Sequence, residues 1–456
     1  MIDKVIAHID TQKEKNVDRL KEFIRIPSIS TDAQRKGDTR RAGEWVLNLL
    51  KGCGIEAKLI ETGGHPAVFG DSGAVDGKPT VLVYGHYDVQ PTGDESLWKS
   101  PPFEPTVKDG IMYARGSADD KGQVFTHLLA AEGWKKAVGK LPIRLKFLIE
   151  GEEEISSPNL APLIKEHRSA LACDYIALSD TSKWDDSTPG ITYGTRGLVY
   201  KEIIVTGPKQ NLHSGSYGGS LDNPGNALAR IIASLRDNDN RVTIPGFYDD
   251  VVPISDAERS ALKQLTFDEK AYQEVMGVSV LTGEKGYSTM ERRSMRPTLD
   301  VNGMFGGFMA EGAMTIIPAK MSAKVSMRLV PNQDAEKVSK AFEKACQAAA
   351  PPGVKLEFLT HGAADAYMAP LDSPAMRAAS KAMESAWGKK PVFMREGGTL
   401  PILPMFKKVL GAESIMMGFC APDCGMHGPN EFFGLNDLHR GTKTVAHFLQ
   451  NMADAK

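Results

Sequence analysis

The sequence predicts an α/β protein with a mostly parallel sheet covered by helices on both faces and interrupted by an inserted α+β domain. Three observations predict it. The chain has 456 residues, whereas a single domain commonly has about 150. Strand-like and helix-like stretches alternate over residues 1–190 and again over residues 363–456. In residues 191–362 the strands instead alternate polar and apolar side chains, as in a sheet with one exposed face.

The first section, residues 1–190, contains strands and helices in alternation. The predicted strands are "IEAKLIET", "PTVLVYGHYD", "LPIRLKFLIEG" and "CDYIALSD". The predicted helices are "DRLKEFIRI", "TRRAGEWVLNLLKGCG", "KGQVFTHLLAAEGWKKAVGK" and "SPNLAPLIKEH". Strands that alternate with helices of this length favour a parallel sheet covered on both faces.

The remaining sections differ in pattern. The inserted section begins with the turn-rich "STPGITYGTRGLVYKEIIVTG" and continues with the strands "TLDVNGMFGG", "KMSAKVSMRLVP" and "VKLEFLT" and the helices "NPGNALARIIASLRD" and "AEKVSKAFEKACQAAA". The last section returns to the first pattern with "SPAMRAASKAMESAW", "SIMMGF" and "NDLHRGTKTVAHFLQNM". We therefore interpret the chain as one domain interrupted by another.

Composition and charge exclude several classes of protein. Apolar residues make up 41% and charged residues 25%, close to the soluble average, and the formal net charge is −2. This charge gives no reason to expect nucleic acid or an anionic membrane as a partner. The chain has no run of about 18 consecutive apolar residues, so no membrane-spanning helix is predicted. The N-terminal stretch lacks a signal-peptide pattern. The five scattered cysteines do not form a disulfide pattern, so we expect a reducing, cytoplasmic location.

Acidic residues and histidines recur where predicted strands end. They lie in "GHYD" (His86, Asp88), "ARGSADDKG" (Asp119, Asp120), "IEGEEEISS" (Glu150 to Glu154), "ALSD" (Asp180) and "DCGMHGPNE" (His427). Ligands of parallel α/β sheets collect beyond the carboxyl ends of the strands. So many carboxylates in one crevice would repel each other unless a cation neutralises them. The sequence therefore predicts a site for divalent metal.

His86 and Asp88 lie two positions apart, so their side chains share a face of the strand. Asp88 can then accept one ring N–H of His86 and leave the other nitrogen for a metal ion. A single His-x-Asp is more often a satisfied histidine in a turn. Similarly, Asp119 or Asp120 can cap the following helix, and the glutamate run can be a solvated surface. The five clusters together favour the metal site.

As an ordered set, these motifs resemble the two-zinc aminoacylase and carnosinase-type metallopeptidases. That family also contains acetylornithine deacetylase, succinyl-diaminopimelate desuccinylase and glutamate carboxypeptidase. The resemblance covers essentially the whole chain, and "NLHSGSYGG", "SMRLVPN" and "REGGTLP" are most similar to the dipeptidase branch. It implies a catalytic domain in residues 1–190 and 363–456, and a lid and dimerisation domain in residues 191–362.

The resemblance also implies a role for each metal-site residue. His86 and Asp180 would bind one metal ion, Glu154 and His427 the other, and Asp119 would bridge them, with Asp88 orienting His86. Glu153 would be the general base. The choice among three consecutive glutamates comes only from matching this stretch to the family's motif position by position. Two divalent ions, zinc being expected and manganese or cobalt being alternatives, would hold a bridging hydroxide that attacks the amide carbon.

In the inserted domain, the resemblance implies that His213 stabilises the oxyanion in the partner subunit's site of a homodimer. Arg328 would bind the substrate's terminal carboxylate, and Asn302, Gly398 and Thr399 would line the pocket. Thr399 stands where relatives often have serine.

The implied activity is hydrolysis of dipeptides or short peptides. One alternative is an N-acyl amino acid deacylase, because the same attack breaks both kinds of amide. Another is a non-catalytic, metal-stabilised binding protein on the same scaffold.

Overall fold

A computed structural model describes residues 1–455 of the chain. By their internal contacts these residues form two compact units. The first unit comprises Met1–Tyr193, Ala369–Met394 and the residues from Met405 onward, and the second comprises Gly194–Met368 and Arg395–Pro404. Arg395–Pro404 lies within residues 363–456, which we assigned to the catalytic domain. It groups with the second unit, where Arg196 Nε donates to the Gly397 carbonyl and Arg196 N to the Gly398 carbonyl.

The α-helices are α1 (Ile2–Thr11), α2 (Lys13–Ile24), α3 (Lys36–Gly52), α4 (Lys121–Val138), α5 (Leu160–Glu166), α6 (Arg168–Leu171), α7 (Ser214–Tyr217), α8 (Pro224–Ser234), α9 (Asp256–Lys263), α10 (Glu269–Met276), α11 (Thr289–Ser294), α12 (Ala335–Ala349), α13 (Pro374–Trp387), α14 (Ile402–Leu410) and α15 (Leu435–Asp454). Within residues 1–455, no helix is both long enough and apolar enough to cross a bilayer.

The strands are β1 (Glu56–Ile60), β2 (Ala67–Asp71), β3 (Thr80–His86), β4 (Thr106–Lys108), β5 (Ile111–Tyr113), β6 (Arg144–Glu150), β7 (Tyr175–Leu178), β8 (Gly190–Thr195), β9 (Gly197–Thr206), β10 (Leu212–His213), β11 (Thr298–Gly306), β12 (Ile316–Ile317), β13 (Lys320–Leu329), β14 (Lys355–Ala364), β15 (Tyr367–Met368), β16 (Val392–Glu396), β17 (Glu413–Gly418) and β18 (Phe432–Gly434).

The first unit contains a mixed sheet with the order β1-β2-β6-β3-β7-β17-β8. The central strands β6, β3, β7 and β17 run parallel, whereas β1, β2 and β8 pair antiparallel at the two sides. The predicted α/β class is confirmed, with parallel pairing concentrated at the centre. The carboxyl ends of four neighbouring strands therefore lie side by side.

Strand β3 shows why the sheet is covered on both faces. Its residues Val81 to His86 are all buried, and each large apolar side chain there contributes about 1.5–3 kcal/mol of burial free energy. Successive side chains point to opposite faces. Tyr84 contacts the Phe406 ring of α14, whereas a Cβ on Gly85 would lie 2.6 Å from Val124 of α4. Helices thus pack on both faces at the strand that ends in His86.

The second unit is built on an antiparallel sheet with the order β11-β13-β9-β14. Helices α8 and α12 pack on the sheet through a core that includes Val199, Leu228, Val325 and Phe342. Strand β11 is an edge strand. It and the following loop expose large apolar side chains, here called the β11 patch: Val301, Met304, Phe305, Met309 and Met314.

Candidate metal centre

The first unit brings the predicted strand-end residues together. His86 ends β3, Asp180 follows β7 by two residues, and Asp119 precedes α4. His427 lies in the loop between β17 and β18 at a positive φ of 60°, a strained backbone conformation for a residue with a side chain. Since β3, β7 and β17 are parallel neighbours, their ends place His86, Asp180 and the start of the His427 loop at one edge of the sheet.

Asp119 lies between the two histidines. Its Oδ1 is 3.1 Å from Nε2 of His86, and its Oδ2 is 3.0 Å from Nε2 of His427. Each carboxylate oxygen therefore faces a different imidazole. This is the arrangement that a ligand shared by two cations requires.

Two donor groups share Asp119. One comprises His86, Asp119 and Asp180, and the other comprises Asp119, Glu154 and His427, with the donor atoms of each group within 4.8 Å of one another. Glu154 Oε2 lies 3.2 Å from His427 Nε2, and Asp180 Oδ2 lies 4.0 Å from His86 Nε2. Imidazole nitrogen and carboxylate oxygen are ligands that zinc and similar divalent ions accept.

The state of His86 also fits a metal ligand. Its Nδ1 lies 3.0 Å from the main-chain oxygen of Asp88, which can only accept, so Nδ1 carries the proton. Nε2 then has a free lone pair, and this buried atom makes no hydrogen bond among the described residues. A buried nitrogen that makes no hydrogen bond and faces two carboxylates fits a bound cation.

Asp88 acts differently from the prediction. We expected its carboxylate to accept the His86 ring proton, but the nearer acceptor is its main-chain oxygen, and the carboxylate Oδ1 is 3.4 Å from Nδ1. The two carboxylate oxygens instead accept from the backbone N–H groups of Glu153 and Glu154, at 3.2 and 3.1 Å. Asp88 therefore fixes both the imidazole and the turn that carries Glu153 and Glu154, here called the glutamate turn.

The consecutive glutamates differ in their partners. Glu152 accepts hydrogen bonds from the backbone N–H of His65 and from the side-chain amide of Asn159. Glu154 lies against His427 and also accepts from Gln90 at 2.8 Å. The carboxylate of Glu153 has no hydrogen-bond or ion-pair partner among residues 1–455. The structure thus leaves one of the three glutamates free beside the site.

Electrostatics show that the cluster is crowded with negative charge. Burial raises the pKa of Glu153 well above its ordinary value, and Asp180 and Asp119 add to this rise while His86 opposes it. Burial, followed by the charge of Asp119, raises the pKa of Asp180 to about 7. The contacts with Asp119 and Glu154 raise the pKa of His427 to about 10. Divalent cations would relieve this mutual repulsion.

Glu431 is a structural residue of the site to which the sequence analysis gave no role. Its buried carboxylate accepts from Arg115 Nη1 at 2.7 Å and from the backbone N–H groups of Gly116, Ala118 and Asp119 at 2.8–3.0 Å. Glu431 follows His427 by four residues in "DCGMHGPNE". This closeness to a predicted metal ligand is the sequence feature that could have indicated a role for it. Glu431 joins the loop that carries His427 to the loop that carries Asp119.

The remaining predicted residues belong to the second unit. Arg328, on β13, donates from Nη1 to Thr399 Oγ1 at 2.6 Å, and the Gly398 carbonyl accepts from Arg196 N. Asn302 is exposed at the bulge of β11, and no described hydrogen bond joins it to Arg328 or Thr399. His213 is exposed, and its Nδ1 accepts from the backbone N–H groups of Gly215 and Ser216. Its proton therefore lies on Nε2, which is free to donate.

Comparison with known proteins identifies the family of this chain. The family model "Peptidase family M20/M25/M40" matches residues 82–451. The chain belongs to this metallopeptidase family. It is 30% identical to the "Cys-Gly metallodipeptidase DUG1" of Saccharomyces cerevisiae, over 100% of this chain and 98% of that protein. It is 29% identical to the human "Beta-Ala-His dipeptidase", over 99% of this chain and 93% of that protein.

A solved structure agrees with the family assignment. The metallo-carboxypeptidase Sso-CP2 from Sulfolobus solfataricus is 32% identical, with a TM-score of 0.86 over 96% of this chain and 99% of that one. The predicted resemblance to this family, in its dipeptidase branch, is confirmed.

Proposed function

We propose that the protein hydrolyses the amide bond of dipeptides or short peptides at a centre for two divalent cations. The observation that carries this proposal is Asp119, which directs one carboxylate oxygen toward each of two histidines. The names of the relatives, two dipeptidases and a carboxypeptidase, support a peptide substrate.

Five residues would hold the cations. His86 and Asp180 belong to one donor group and Glu154 and His427 to the other, with Asp119 in both. Divalent cations at such a centre supply a water of lowered pKa and polarise the scissile carbonyl. We expect zinc, since the donors are imidazole and carboxylate, and manganese and cobalt are alternatives.

Glu153 would be the general base. Its carboxylate has no competing hydrogen bond, and burial raises its pKa well above the ordinary value, which favours proton uptake. It would take a proton from the attacking water and deliver it to the departing amine. Asp88 would hold it in place through the N–H groups of Glu153 and Glu154.

The second unit would bind the rest of the substrate. The Arg328 guanidinium has no carboxylate partner within ion-pair distance among the described residues, so it is available for the terminal carboxylate of a peptide. Thr399 orients it, and Asn302 and Gly398 are further candidates for lining this pocket. The free Nε2–H of His213 would stabilise the oxyanion in the partner subunit's site.

We propose a homodimer formed through the second unit. The β11 patch exposes five large apolar side chains on and beside an edge strand, and Met309 alone is 71% exposed. Edge strands with exposed apolar side chains tend to associate. A second copy of this chain would cover the patch.

A substrate screen on metal-reconstituted protein tests the proposed activity. We expect dipeptides with a free amino group to be hydrolysed with higher kcat/KM than N-acetyl amino acids of matched side chain. A series of longer peptides would then set the length limit. Strong preference for the acylated compounds would instead identify an N-acyl amino acid deacylase.

A further inference from the structure

The second unit contains an arginine-lined cavity that the proposed peptide hydrolysis does not use. The cavity has a volume of about 410 Å³, and we call it the arginine cavity. Five arginines line it: Arg196, Arg236, Arg292, Arg293 and Arg296. Two carboxylates also line it, those of Glu284 and Asp300. Positive charge is therefore in excess.

One of the five arginines is neutralised inside the protein. Arg296 forms a bidentate ion pair with Glu284, with distances of 2.7 and 2.8 Å. The carboxylate of Glu284 is therefore already paired and does not neutralise another arginine that lines the cavity. Asp300 is exposed and accepts from the hydroxyl of Thr298 at 3.1 Å.

The other four arginines have no carboxylate within ion-pair distance among the described residues. Arg196 donates to the carbonyls of Gly397 and Arg296, at 2.9 and 3.4 Å. Arg236 donates to Asn240 Oδ1 at 2.6 Å and to the Leu299 carbonyl at 3.4 Å.

The last two arginines likewise have neutral neighbours. Arg292 Nε donates to the main-chain carbonyl of Glu284 at 3.0 Å, and the Arg293 guanidinium lies 4.9 Å from the centre of the Tyr272 ring. Neutral acceptors and a ring thus orient these guanidinium groups without forming an ion pair with them.

Burial is the main cause that lowers the pKa of Arg196 to about 10. Repulsion by Arg328 and Arg293 acts in the same direction, whereas the carboxylates of Asp300 and Glu396 oppose it. An anion between such groups would offset this repulsion. Guanidinium groups are the side chains best suited to bidentate contacts with carboxylate and phosphate.

We propose that the arginine cavity binds a small organic anion that carries two or more negative charges on carboxylate or phosphate groups. The volume falls in the range of small-molecule sites, about 300–1,000 Å³, and it suits a metabolite rather than a polymer. The unpaired guanidinium groups would each contribute charge-assisted hydrogen bonds. A monovalent anion would leave most of the charge unbalanced and bind more weakly.

Calorimetric titration of the metal-loaded protein at constant ionic strength tests this site. The probes are inorganic phosphate and propane-1,2,3-tricarboxylate, with acetate as the monovalent control. In the double variant Arg292→Gln/Arg293→Gln we expect the dissociation constant of the tighter probe to rise about tenfold or more. Arg230→Gln is the matched control, since Arg230 is an exposed arginine of the same unit that does not line the cavity.

The two probes distinguish the chemistry, because tighter binding of the tricarboxylate or of phosphate identifies the preferred group. If the double variant folds poorly, Arg236→Gln serves as a second variant because it changes an exposed side chain. It should also weaken binding of the tighter probe. Unchanged affinity in both variants would overturn the proposal and assign the anion to the metal centre or to Arg328. Binding no tighter than that of acetate would also overturn it.

Discussion

At the scale of single residues, Asp119 and Glu153 show how environment separates two carboxylates. The contacts with His427 and His86 hold the pKa of Asp119 well below its ordinary value despite burial. Glu153 has no cationic side chain in hydrogen-bond contact, and burial raises its pKa. Asp119 therefore stays an anion suited to cations, whereas Glu153 can exchange a proton.

Replacing Glu153 with Gln should abolish turnover, because the amide cannot accept the proton of the attacking water. We expect kcat to fall by about 10²-fold or more, while metal content stays at about two ions per subunit. Measurements of kcat and of bound metal check both parts.

The matched control is Glu152→Gln, in which the changed carboxylate is held by His65 and Asn159. We expect it to lower the melting temperature and leave kcat within a few-fold of the parent. If Glu152→Gln abolished turnover while Glu153→Gln remained active, the general base would be Glu152.

His127 predicts a pH dependence of stability outside the metal ligands. Burial lowers the pKa of its imidazole from 6.5 to about 3, and its Nε2 lies 2.7 Å from Ser179 Oγ. Between these two values the unfolded chain binds a proton that the folded protein does not, so acidification from pH 6 to 4 destabilises the folded state. One proton corresponds to about 1.4 kcal/mol per pH unit. Denaturant titrations of metal-free parent and His127→Gln should show that acidification from pH 6 to 4 lowers the stability of the parent relative to the variant, and parallel curves would contradict it.

At the scale of elements, the site depends on loops joined across the chain. β3, β7 and β17 provide a fixed edge, but Asp119 and His427 lie in loops that need a separate constraint. Glu431 supplies it, since its carboxylate accepts from Arg115 and from three backbone N–H groups of residues 116–119. Asp88 does the same for the glutamate turn after β6.

Replacing Glu431 with Gln should loosen the Asp119 loop and leave Arg115 buried without its counter-charge. Removing one partner of a buried ion pair costs about 3–5 kcal/mol. We expect a lower melting temperature even in metal-free protein, and weaker metal binding in titrations.

The control is Glu132→Gln, which breaks the partly exposed ion pair with Arg19. It should lose far less stability, because water solvates both groups. Equal losses in the two variants would show that Glu431 has no special part in the fold.

At the scale of the whole molecule, cations should stabilise the fold. Strand ends and loops from residues 86 to 427 contribute the two donor groups, which are absent in an unfolded chain. A cation at about one hundred times its dissociation constant adds about 2.7 kcal/mol. We expect chelation to lower the melting temperature of the parent and to change that of Asp119→Ala much less. A parent protein insensitive to chelation would contradict the metal centre.

The proposed shared site predicts complementation between subunits. His213→Ala and Asp119→Ala homodimers should each be inactive, the first lacking the oxyanion donor and the second lacking the shared ligand. When equal amounts of the two variants reassociate at random, about half of the dimers are mixed, and each mixed dimer has one intact site out of two. Activity should therefore recover to about a quarter of that of the parent. No recovery in a confirmed heterodimer would mean that His213 acts within its own subunit or not at all.

The sequence by itself determined the fold class and the five clusters. Periodicity and turn residues report local burial, and for this reason β3, β6, β7 and β17 and the large helices were predictable. The same logic placed His86, Asp180 and His427 at or after strand ends, because parallel strands align their carboxyl ends. The short strands β4 and β5 carry little periodic signal and were missed.

Only the tertiary structure decided which partner each polar group has. Sequence spacing could not separate Glu152, Glu153 and Glu154, because the distinction comes from His65, Asn159 and His427, distant in the chain. Nor could it show that Asp88 holds the glutamate turn. Hydrogen bonds and charge interactions act over a few ångströms between residues brought together by folding, so their consequences follow from packing and not from local order.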